Sequence, residues 1–209
     1  MPVALEGAPF ILGGAFVTLV FALLGWQILC LLTLALTFSV LYFFRDPNRT
    51  CTFDPKAVVA PADGVVVFVK PGMDQRYYQG ECVRLSIFMS VLDVHVNRFP
   101  VDGTVRHAIY KPGGFEAANR EGASKGNEQN ALIVETEGGR KLVVVQVAGL
   151  IARRIVCWTR PGDLAAKGER FGMIRFGSRV DLYLPPDFEA WVQKGDRVRA
   201  GETLVGKLP

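Results

Sequence analysis

The sequence contains few of the residues that hold metal ions or cofactors. It has two histidines among 209 residues, and no C-x-x-C pair occurs among its four cysteines, Cys30, Cys51, Cys82 and Cys157. The ligand spacing of zinc sites is therefore missing, and we predict no metal centre. No nucleotide-binding motif is present, and no run of basic and aromatic residues accompanies the net charge of +4, so we expect no nucleic-acid partner. The cysteines are most simply interpreted as reduced thiols in a cytosolic setting.

Charge is missing altogether from a long stretch near the N-terminus. Residues 10–44 contain no charged side chain and are mostly apolar. A single straight helix over this stretch would be about 52 Å long, whereas the hydrocarbon core of a bilayer is about 30 Å thick. Gly25 lies near the middle. We therefore predict two short apolar helices, roughly 10–24 and 26–44, that form a hairpin; one tilted span is the alternative.

The residues after this stretch predict its orientation. Arg45, Arg49 and Lys56 follow it closely, and the positive-inside rule then places the remainder of the chain in the cytoplasm. No basic segment precedes the apolar stretch, which argues against a cleaved signal peptide. The predicted organisation is a membrane-anchoring segment at 1–44, a polar connector at 45–57 and a β-rich domain at 58–209.

Beyond residue 57 the sequence lacks long amphipathic helices, and β signals dominate. A Glu-Gly-Gly sequence at 137–139 predicts a hairpin turn, and the glycine-rich segment 113–130 predicts a loop. Six β-rich runs bounded by Gly, Pro or Asp are predicted strands: Val65–Val69, Cys82–Met89, Thr104–Tyr110, Ala131–Thr136, Leu142–Val147 and Ile155–Thr159.

A short pattern, G-D-x4-G-E-x-[FL], occurs twice, at 162–171 and at 195–204. Turns of this kind recur in barrel-sandwich folds, and the P-A-D-G sequence at 61–64 is interpreted as the start of a strand in such a fold. The predicted fold class is mainly β: a barrel-sandwich-like β domain with few short helices, preceded by an N-terminal apolar helical hairpin. A fold of this kind implies no chemistry by itself.

Candidate catalytic side chains are few. Histidine is the usual general base near neutral pH. His95 lies at the polar end of an apolar run, where active-site groups often occur, whereas His107 alternates with apolar neighbours and is interpreted as a surface strand residue. Ser178 belongs to the only Gly-Ser pair in the chain, which taken alone indicates a turn.

Six blocks, taken together and in order, resemble the phosphatidylserine decarboxylases, specifically the short prokaryotic type. The resemblance covers nearly the whole chain and is far more specific than any one motif. The blocks are 43–49 (FFRDPNR), 61–64 (PADG), 89–100 (MSVLDVHVNRFP), 126–130 (GNEQN), 147–155 (VAGLIARRI) and 170–178 (RFGMIRFGS).

The resemblance implies a proenzyme that cuts itself between Gly177 and Ser178. The products would be a β chain, 1–177, and an α chain, 178–209, that remain associated, with 58–209 as the catalytic domain. Ser178 would become a pyruvoyl group, whose ketone forms a Schiff base with phosphatidylserine at the cytoplasmic membrane and yields phosphatidylethanolamine. Decarboxylation needs such an electron sink, and this chain has no visible metal or nucleotide motif to supply one.

Roles for two further residues follow from the same resemblance and from the logic of nucleophile, base and orienting group. His95 is the expected base in processing and a candidate proton donor in decarboxylation, and Asp63 is the expected orienting carboxylate. Long-type members carry a second histidine where this chain has Arg98. Either His95 takes both roles, or another group or water substitutes for the second histidine.

Anion-binding candidates for the substrate are Arg98, Arg153 and Arg154, with Asn127 as a weaker one, since guanidinium groups suit phosphate and carboxylate. The arginine pair could equally be a solvated pair that follows a strand. Two other classes stay open: a membrane-anchored adaptor or carrier without catalysis, and a pyruvoyl decarboxylase of another amine. The oligomeric state, a homo-oligomer included, also stays open.

Overall fold

The computed structural model describes residues 2–51, 54–114, 126–149, 154–175 and 178–209. The chain divides into two compact units, Met1–Asn48 and Arg49–Pro209. The first is helical and the second is made of β-strands.

Two apolar helices make up most of the first unit. Helix α1, Ala8–Leu23, follows a 3-10 turn at Leu5–Gly7, and helix α2 is Gln27–Phe43. Gly25 separates them with a φ of +74°, a left-handed conformation that glycine adopts without steric cost. These bounds are close to the predicted ones, and the helical hairpin is confirmed.

The helices touch each other and leave most of their apolar side chains exposed. A Cβ atom added to Gly14 would lie 2.5 Å from Thr37 Oγ1, so the absence of a side chain allows close approach. Among the described residues, the helical stretch Leu5–Leu23 is long and apolar enough to cross a membrane, with a mean hydropathy of 1.7. Only 6% of its most apolar 18 residues is buried. Helix α2 has 17 residues and contains no charged side chain.

The second unit contains fourteen strands within the described residues. They are β1 Ala57–Val59, β2 Gly64–Asp74, β3 Gly80–Met89, β4 Val96–Arg98, β5 Gly103–Lys111, β6 Gln129–Glu135, β7 Lys141–Val147, β8 Ile155–Cys157, β9 Leu164–Ala165, β10 Arg170–Ile174, β11 Ser178–Leu184, β12 Glu189–Ala190, β13 Arg197–Val198 and β14 Leu204–Lys207.

These strands form three antiparallel sheets. The largest has the order β13-β2-β3-β11-β7-β6-β5-β9, and the two smaller ones are β4-β10-β8 and β1-β14-β12. One buried apolar cluster draws side chains from all three, for example Val58 of β1, Phe171 of β10 and Leu182 of β11. A second cluster, which includes Tyr77, Val145 and Tyr183, lies on the opposite face of the large sheet. The mainly β fold class is confirmed.

All six predicted strands exist, as β2, β3, β5, β6, β7 and β8. The predicted loop at 113–130 is too long at its end, because residues 129–130 already pair with β7 in strand β6. Residues 115–125 of that loop lie outside the described residues. The turn at 137–139 joins β6 to β7, as predicted.

The repeated G-D-x4-G-E pattern has a structural explanation. The N–H of Gly162 donates to the Val105 carbonyl, and the N–H of Gly195 donates to the Val66 carbonyl, each over 2.8 Å. The short strand after each glycine then pairs with the long strand, β9 with β5 and β13 with β2. The two copies therefore build equivalent turns on two long strands.

Candidate active site

The candidate site lies where the chain passes from the small sheet to the large one. Ser178 is the first residue of β11, and its Cα partner on β3 is Met89, the last residue of that strand. On the other side, the N–H of Ile174, which ends β10, donates to the His95 carbonyl at 3.3 Å. The fold thus brings the Ser178 and His95 segments to one junction. Gly177 lies outside the described residues.

The Ser178 side chain is buried at the start of strand β11. Its residue is fully buried, and Oγ has no hydrogen-bond partner among the residues that the structure describes. Side chains alternate along a strand, so Ser178 shares the core face with Val180 and Leu182 of β11. A buried hydroxyl without a partner costs about 1–3 kcal/mol. Such a group calls for a functional explanation, and serine is a nucleophile in acyl transfer.

The His95 ring is oriented by its own loop. Nδ1 lies 3.0 Å from the carbonyl oxygen of Asp93. A carbonyl can only accept, so in the neutral ring Nδ1 carries the hydrogen and Nε2 holds the basic lone pair. Asp93 is itself held, because its carboxylate accepts from the N–H and the hydroxyl of Ser90 at 2.9 and 2.7 Å. The ring therefore has the tautomer that a general base needs at Nε2.

Asp63 does not make its hydrogen bonds to His95. Its two carboxylate oxygens pair with the two terminal nitrogens of Arg49 at 2.5 and 2.8 Å, and Oδ1 also accepts from the Ala200 N–H at 2.9 Å. Arg49 donates in addition to the Ala200 carbonyl at 2.7 Å. The carboxylate thus ties the start of the second unit to the turn before β14.

A second aspartate occupies the equivalent place in the other half of the sheet. Asp102 lies in a P-x-D-G sequence like that of Asp63, and its Oδ1 accepts from the Lys167 N–H at 2.8 Å. Lys167 and Ala200 each precede the second glycine of the repeated pattern. The hydrogen bond from Asp63 to the backbone is therefore a feature of the repeated turn. Asp63 pairs with Arg49 through both carboxylate oxygens, whereas Asp102 has a longer ion pair with Lys167, with Oδ2 3.9 Å from Nζ.

Arg98 is buried, and it donates hydrogen bonds to backbone carbonyls of two turns. Its guanidinium donates to the Gly168 carbonyl at 2.7 Å, and its N–H donates to the Pro61 carbonyl at 2.9 Å. Only 4% of the residue is exposed. Arg98 thus joins the two turns that carry Asp63 and Gly168.

The remaining predicted residues are spread around the site. Arg154 is exposed, and its carbonyl accepts from the Arg175 N–H at 3.2 Å, which keeps it beside the end of β10. Arg153 lies outside the described residues. Asn127 is fully buried, and its Nδ2 donates to the Ala148 carbonyl at 2.7 Å, just beyond β7.

Comparison with known proteins gives a consistent result. A family model described as phosphatidylserine decarboxylase matches residues 36–206. A phosphatidylserine decarboxylase proenzyme of Syntrophotalea carbinolica is 51% identical over 207 residues, which cover 99% of this chain and 97% of the relative. The proenzymes of Geotalea uraniireducens and Desulfotalea psychrophila are 50% and 49% identical over 208 residues, covering all of this chain and 97% of each relative. The chain belongs to the phosphatidylserine decarboxylase family.

In this family member, a series of buried amides reaches Met89, the strand partner of Ser178, and sequence reasoning did not identify its members Asn97 and Gln146. Asn130 Nδ2 donates to Gln146 Oε1 at 3.0 Å, and Gln146 Nε2 donates to Asn97 Oδ1 at 2.9 Å. Asn97 Nδ2 lies 3.6 Å from the sulfur of Met89, the strand partner of Ser178. The available signal was Gln146, a lone amide in the otherwise apolar part of strand β7.

A buried ion pair, also missed, directly follows Ser178 in this phosphatidylserine decarboxylase family member. Arg179 and Asp181 are fully buried, with Nε 2.7 Å from Oδ1 and Nη2 3.1 Å from Oδ2. Burial, together with the Asp181 carboxylate, raises the pKa of Tyr183, whose hydroxyl accepts from Arg76 at 3.0 Å. These polar side chains face away from the Ser178 side of the sheet.

Proposed function

We propose that the chain is a proenzyme that cuts itself between Gly177 and Ser178 and then decarboxylates phosphatidylserine to phosphatidylethanolamine. The observation that carries the proposal is the buried Ser178 hydroxyl at the start of β11, at a junction shared with the His95 segment. Membership of the phosphatidylserine decarboxylase family supports the substrate and the reaction.

The cut proceeds through an acyl shift. His95 Nε2 takes the proton of the Ser178 hydroxyl, and Oγ bonds to the Gly177 carbonyl carbon. The carbon–nitrogen bond between the two residues breaks, and the Ser178 nitrogen receives the proton. The product is an ester with a free amine, and the peptide bond has been exchanged without an oxidant or a metal ion.

Elimination then separates the chains. A base removes the Cα proton of Ser178, the bond from Cβ to Oγ breaks, and Gly177 leaves as the carboxylate end of 1–177. Residue 178 is then unsaturated. Water replaces its nitrogen, and that nitrogen departs as ammonia. Residues 178–209 then begin with a pyruvoyl group. Ser178 Oγ is the atom that elimination removes from residue 178. Its burial without a hydrogen-bond partner among the described residues is consistent with this role.

The pyruvoyl carbonyl supplies the electron sink that decarboxylation needs. The chain's own residues hold that sink in place: β11 pairs with β3 on one side and with β7 on the other, so residues 178–184 stay in the sheet after the cut. This pairing supports continued association of the two chains. His95 is the proposed proton donor to the carbon that loses carbon dioxide.

The other residues keep narrower proposed roles. Asp63 is a carboxylate of the processing centre that would act on His95 only after leaving Arg49, so its predicted orienting role needs a rearrangement. Arg154, which is exposed, is a better candidate for the lipid phosphate than Arg98, whose guanidinium is buried against Gly168. Arg153 and Asn127 remain predictions.

The first unit is the proposed membrane anchor, with the catalytic unit on the cytoplasmic side. Its two apolar helices, 16 and 17 residues long, carry no charged residue, and Leu5–Leu23 has the length of a span. Arg45 lies two residues beyond the end of α2 and suits the cytoplasmic interface. An anchor of this kind keeps the catalytic unit at the surface where a lipid substrate resides.

A matched pair of serine variants tests the proposal. Ser178→Ala should abolish both the cut and the formation of phosphatidylethanolamine from phosphatidylserine vesicles. Ser86→Ala is the control, because Ser86 is also fully buried in the large sheet and its Oγ also has no hydrogen-bond partner among the described residues. If Ser86→Ala is cut and active while Ser178→Ala is neither, the proposal stands. Cutting in Ser178→Ala would overturn it.

A further inference from the structure

We infer that the turn at residues 90–93 inserts its apolar tip into the phospholipid bilayer and so holds the candidate site of the second unit against the lipid surface. The inference rests on the proposed function, because it is a lipid substrate that has to reach His95, two residues beyond this turn. It concerns a membrane contact made by the second unit itself, in addition to the anchor proposed for the first unit.

The turn exposes two neighbouring apolar side chains. The N–H of Asp93 donates to the Ser90 carbonyl at 3.0 Å, which makes Val91 and Leu92 the two central residues of a β-turn. Of these residues 47% and 67% are exposed. Central turn positions are more often occupied by glycine, proline, asparagine or aspartate, whose conformational preferences suit a turn. Transfer of Val91 and Leu92 from water into an apolar medium is favourable, which is what a membrane-inserting tip requires.

Hydrogen bonds hold the turn in this conformation. One carboxylate oxygen of Asp93, Oδ2, accepts from the N–H and the hydroxyl of Ser90 at 2.9 and 2.7 Å. The other, Oδ1, pairs with Arg197 Nη2 at 3.2 Å. Burying polar groups that already have partners costs less than burying unpaired ones. The turn can therefore enter the headgroup boundary of a bilayer with its shape preserved.

The charges beside the tip suit an anionic lipid surface. Arg197 pairs with Asp93, but 71% of the arginine side chain is exposed, against 14% of the aspartate side chain. Arg199 is exposed too, and it is more exposed than Glu202, whose carboxylate lies 3.7 Å from it. The accessible charge near the turn is therefore cationic, although the pairs are balanced. Phosphatidylserine carries a net negative charge, and guanidinium groups at a membrane surface are attracted to such lipids.

The place of the turn in the fold favours a bilayer as the medium that covers it. The turn directly follows Met89, the residue of β3 that pairs with Ser178. It ends at Asp93, whose carbonyl oxygen lies 3.0 Å from Nδ1 of His95. A phospholipid has to bring its headgroup to this end of the sheet while its acyl chains stay in the membrane. An apolar tip at the same end shortens the distance that the headgroup must travel.

A comparison of two substrates tests the inference. The full-length chain is given phosphatidylserine either as long-chain vesicles or as a short-chain form dissolved below its micelle concentration. Val91→Ser with Leu92→Ser should lower the rate on vesicles by about 10-fold, because the apolar contribution to docking is lost. The rate on the short-chain substrate, and the rate of the cut, should stay within a few-fold of wild type. Val91→Ile with Leu92→Met keeps the apolar character and should keep the rate on vesicles.

Met73→Ser is the matched control. Met73 is 65% exposed, nearly as much as Leu92, and it pairs with Glu81 near the opposite end of the β2–β3 hairpin. Glu81 is eight residues before Met89 on the same strand, which corresponds to about 27 Å. Met73→Ser should leave the rates on both substrates within a few-fold of wild type, because this end of the hairpin is far from the turn.

Tryptophan fluorescence gives a second measurement that needs no activity. Leu92→Trp is made in a Ser178→Ala chain whose three native tryptophans are replaced by phenylalanine, and Met73→Trp is its control. Phosphatidylserine vesicles with brominated acyl chains should quench the fluorescence of the Leu92→Trp variant and leave that of the Met73→Trp variant unchanged. Quenching of the first variant alone would show that the tip reaches the acyl chains.

The outcomes separate this inference from the proposed function. An unchanged rate on vesicles in the double serine variant, an equal loss on both substrates, or no quenching of the Leu92→Trp variant would each overturn the inference and leave the proposed function intact. If the wild-type chain is neither cut nor active on phosphatidylserine, the proposed function is overturned instead, and the quenching experiment still decides whether the tip enters the bilayer.

Discussion

The ion pair between Arg179 and Asp181 should be essential for the stability of the segment that begins with Ser178. Both side chains are fully buried and meet through two short contacts, of 2.7 and 3.1 Å. Asp181→Leu leaves a positive charge in the interior without the carboxylate that balances it. Breaking a buried pair in this way costs about 3–5 kcal/mol, a large share of a typical unfolding free energy of about 5–15 kcal/mol.

A double variant distinguishes charge balance from packing. Arg179→Met with Asp181→Leu removes both charges, and it should recover most of the stability that Asp181→Leu loses, because replacing a buried pair with apolar side chains is often neutral or stabilising. The control is Asp187→Leu, which breaks the exposed pair with Arg140, where 41% and 48% of the two side chains are accessible. That change should cost no more than about 1 kcal/mol.

The measurement is urea unfolding of the full-length chain in detergent, followed by circular dichroism. A Ser178→Ala background keeps every molecule in one piece, so that a single transition can be compared between variants. A loss below about 1 kcal/mol in Asp181→Leu would refute the reasoning. A double variant as unstable as the single one would refute it as well, because the cost could not then come from an unbalanced charge.

Two further predictions concern Asp74 and His95. Burial alone would raise the pKa of Asp74, but N–H donors from Tyr77 and Tyr78 and the charge of Arg76 lower it below 3.8. The stabilisation is therefore present above about pH 3.8 and is lost as the pH falls through the folded-state pKa. Asp74→Asn should lower the unfolding free energy at pH 7, and by progressively less at more acidic pH. A difference in unfolding free energy between wild type and Asp74→Asn that does not depend on pH would contradict this. His95→Gln removes the proposed base and should slow the conversion of the full-length chain into two fragments, followed on denaturing gels, by at least about 100-fold, whereas a wild-type rate would assign the base to another group.

The strands that sequence reasoning identified are runs rich in apolar or β-branched residues and bounded by Gly, Pro or Asp. Strand β7, with Leu142–Val147, is an example: its residues are almost all buried. Strand β11 was missed because Arg179 and Asp181 make Ser178–Leu184 look half solvent-exposed. Both faces of this strand are in fact covered, since a second buried cluster around Tyr77 lies over the face that carries the charges.

The candidate site was predictable only in part. The six ordered blocks pointed to Ser178 and His95, because residues of those types in that context belong to a recognisable family. Asn130 and Gln146 are paired across the β6–β7 hairpin, whereas the contact of Gln146 with Asn97 could not be predicted, because β4 belongs to a different sheet. The pairing of Asp63 with Arg49 was equally hidden, although both residues lie in the resembling blocks, because nothing in the local sequence states which cation a turn aspartate will contact.

The central claim is that the chain cuts itself before Ser178 and converts this residue into a pyruvoyl group. The intact mass of the purified protein tests this claim most directly. The account predicts two fragments divided after residue 177. The smaller one, 178–209, should resist N-terminal sequencing and should have the mass expected for a pyruvoyl group in place of serine. A single uncut chain that retains a free serine at 178, in a preparation that forms phosphatidylethanolamine from phosphatidylserine, would contradict the account.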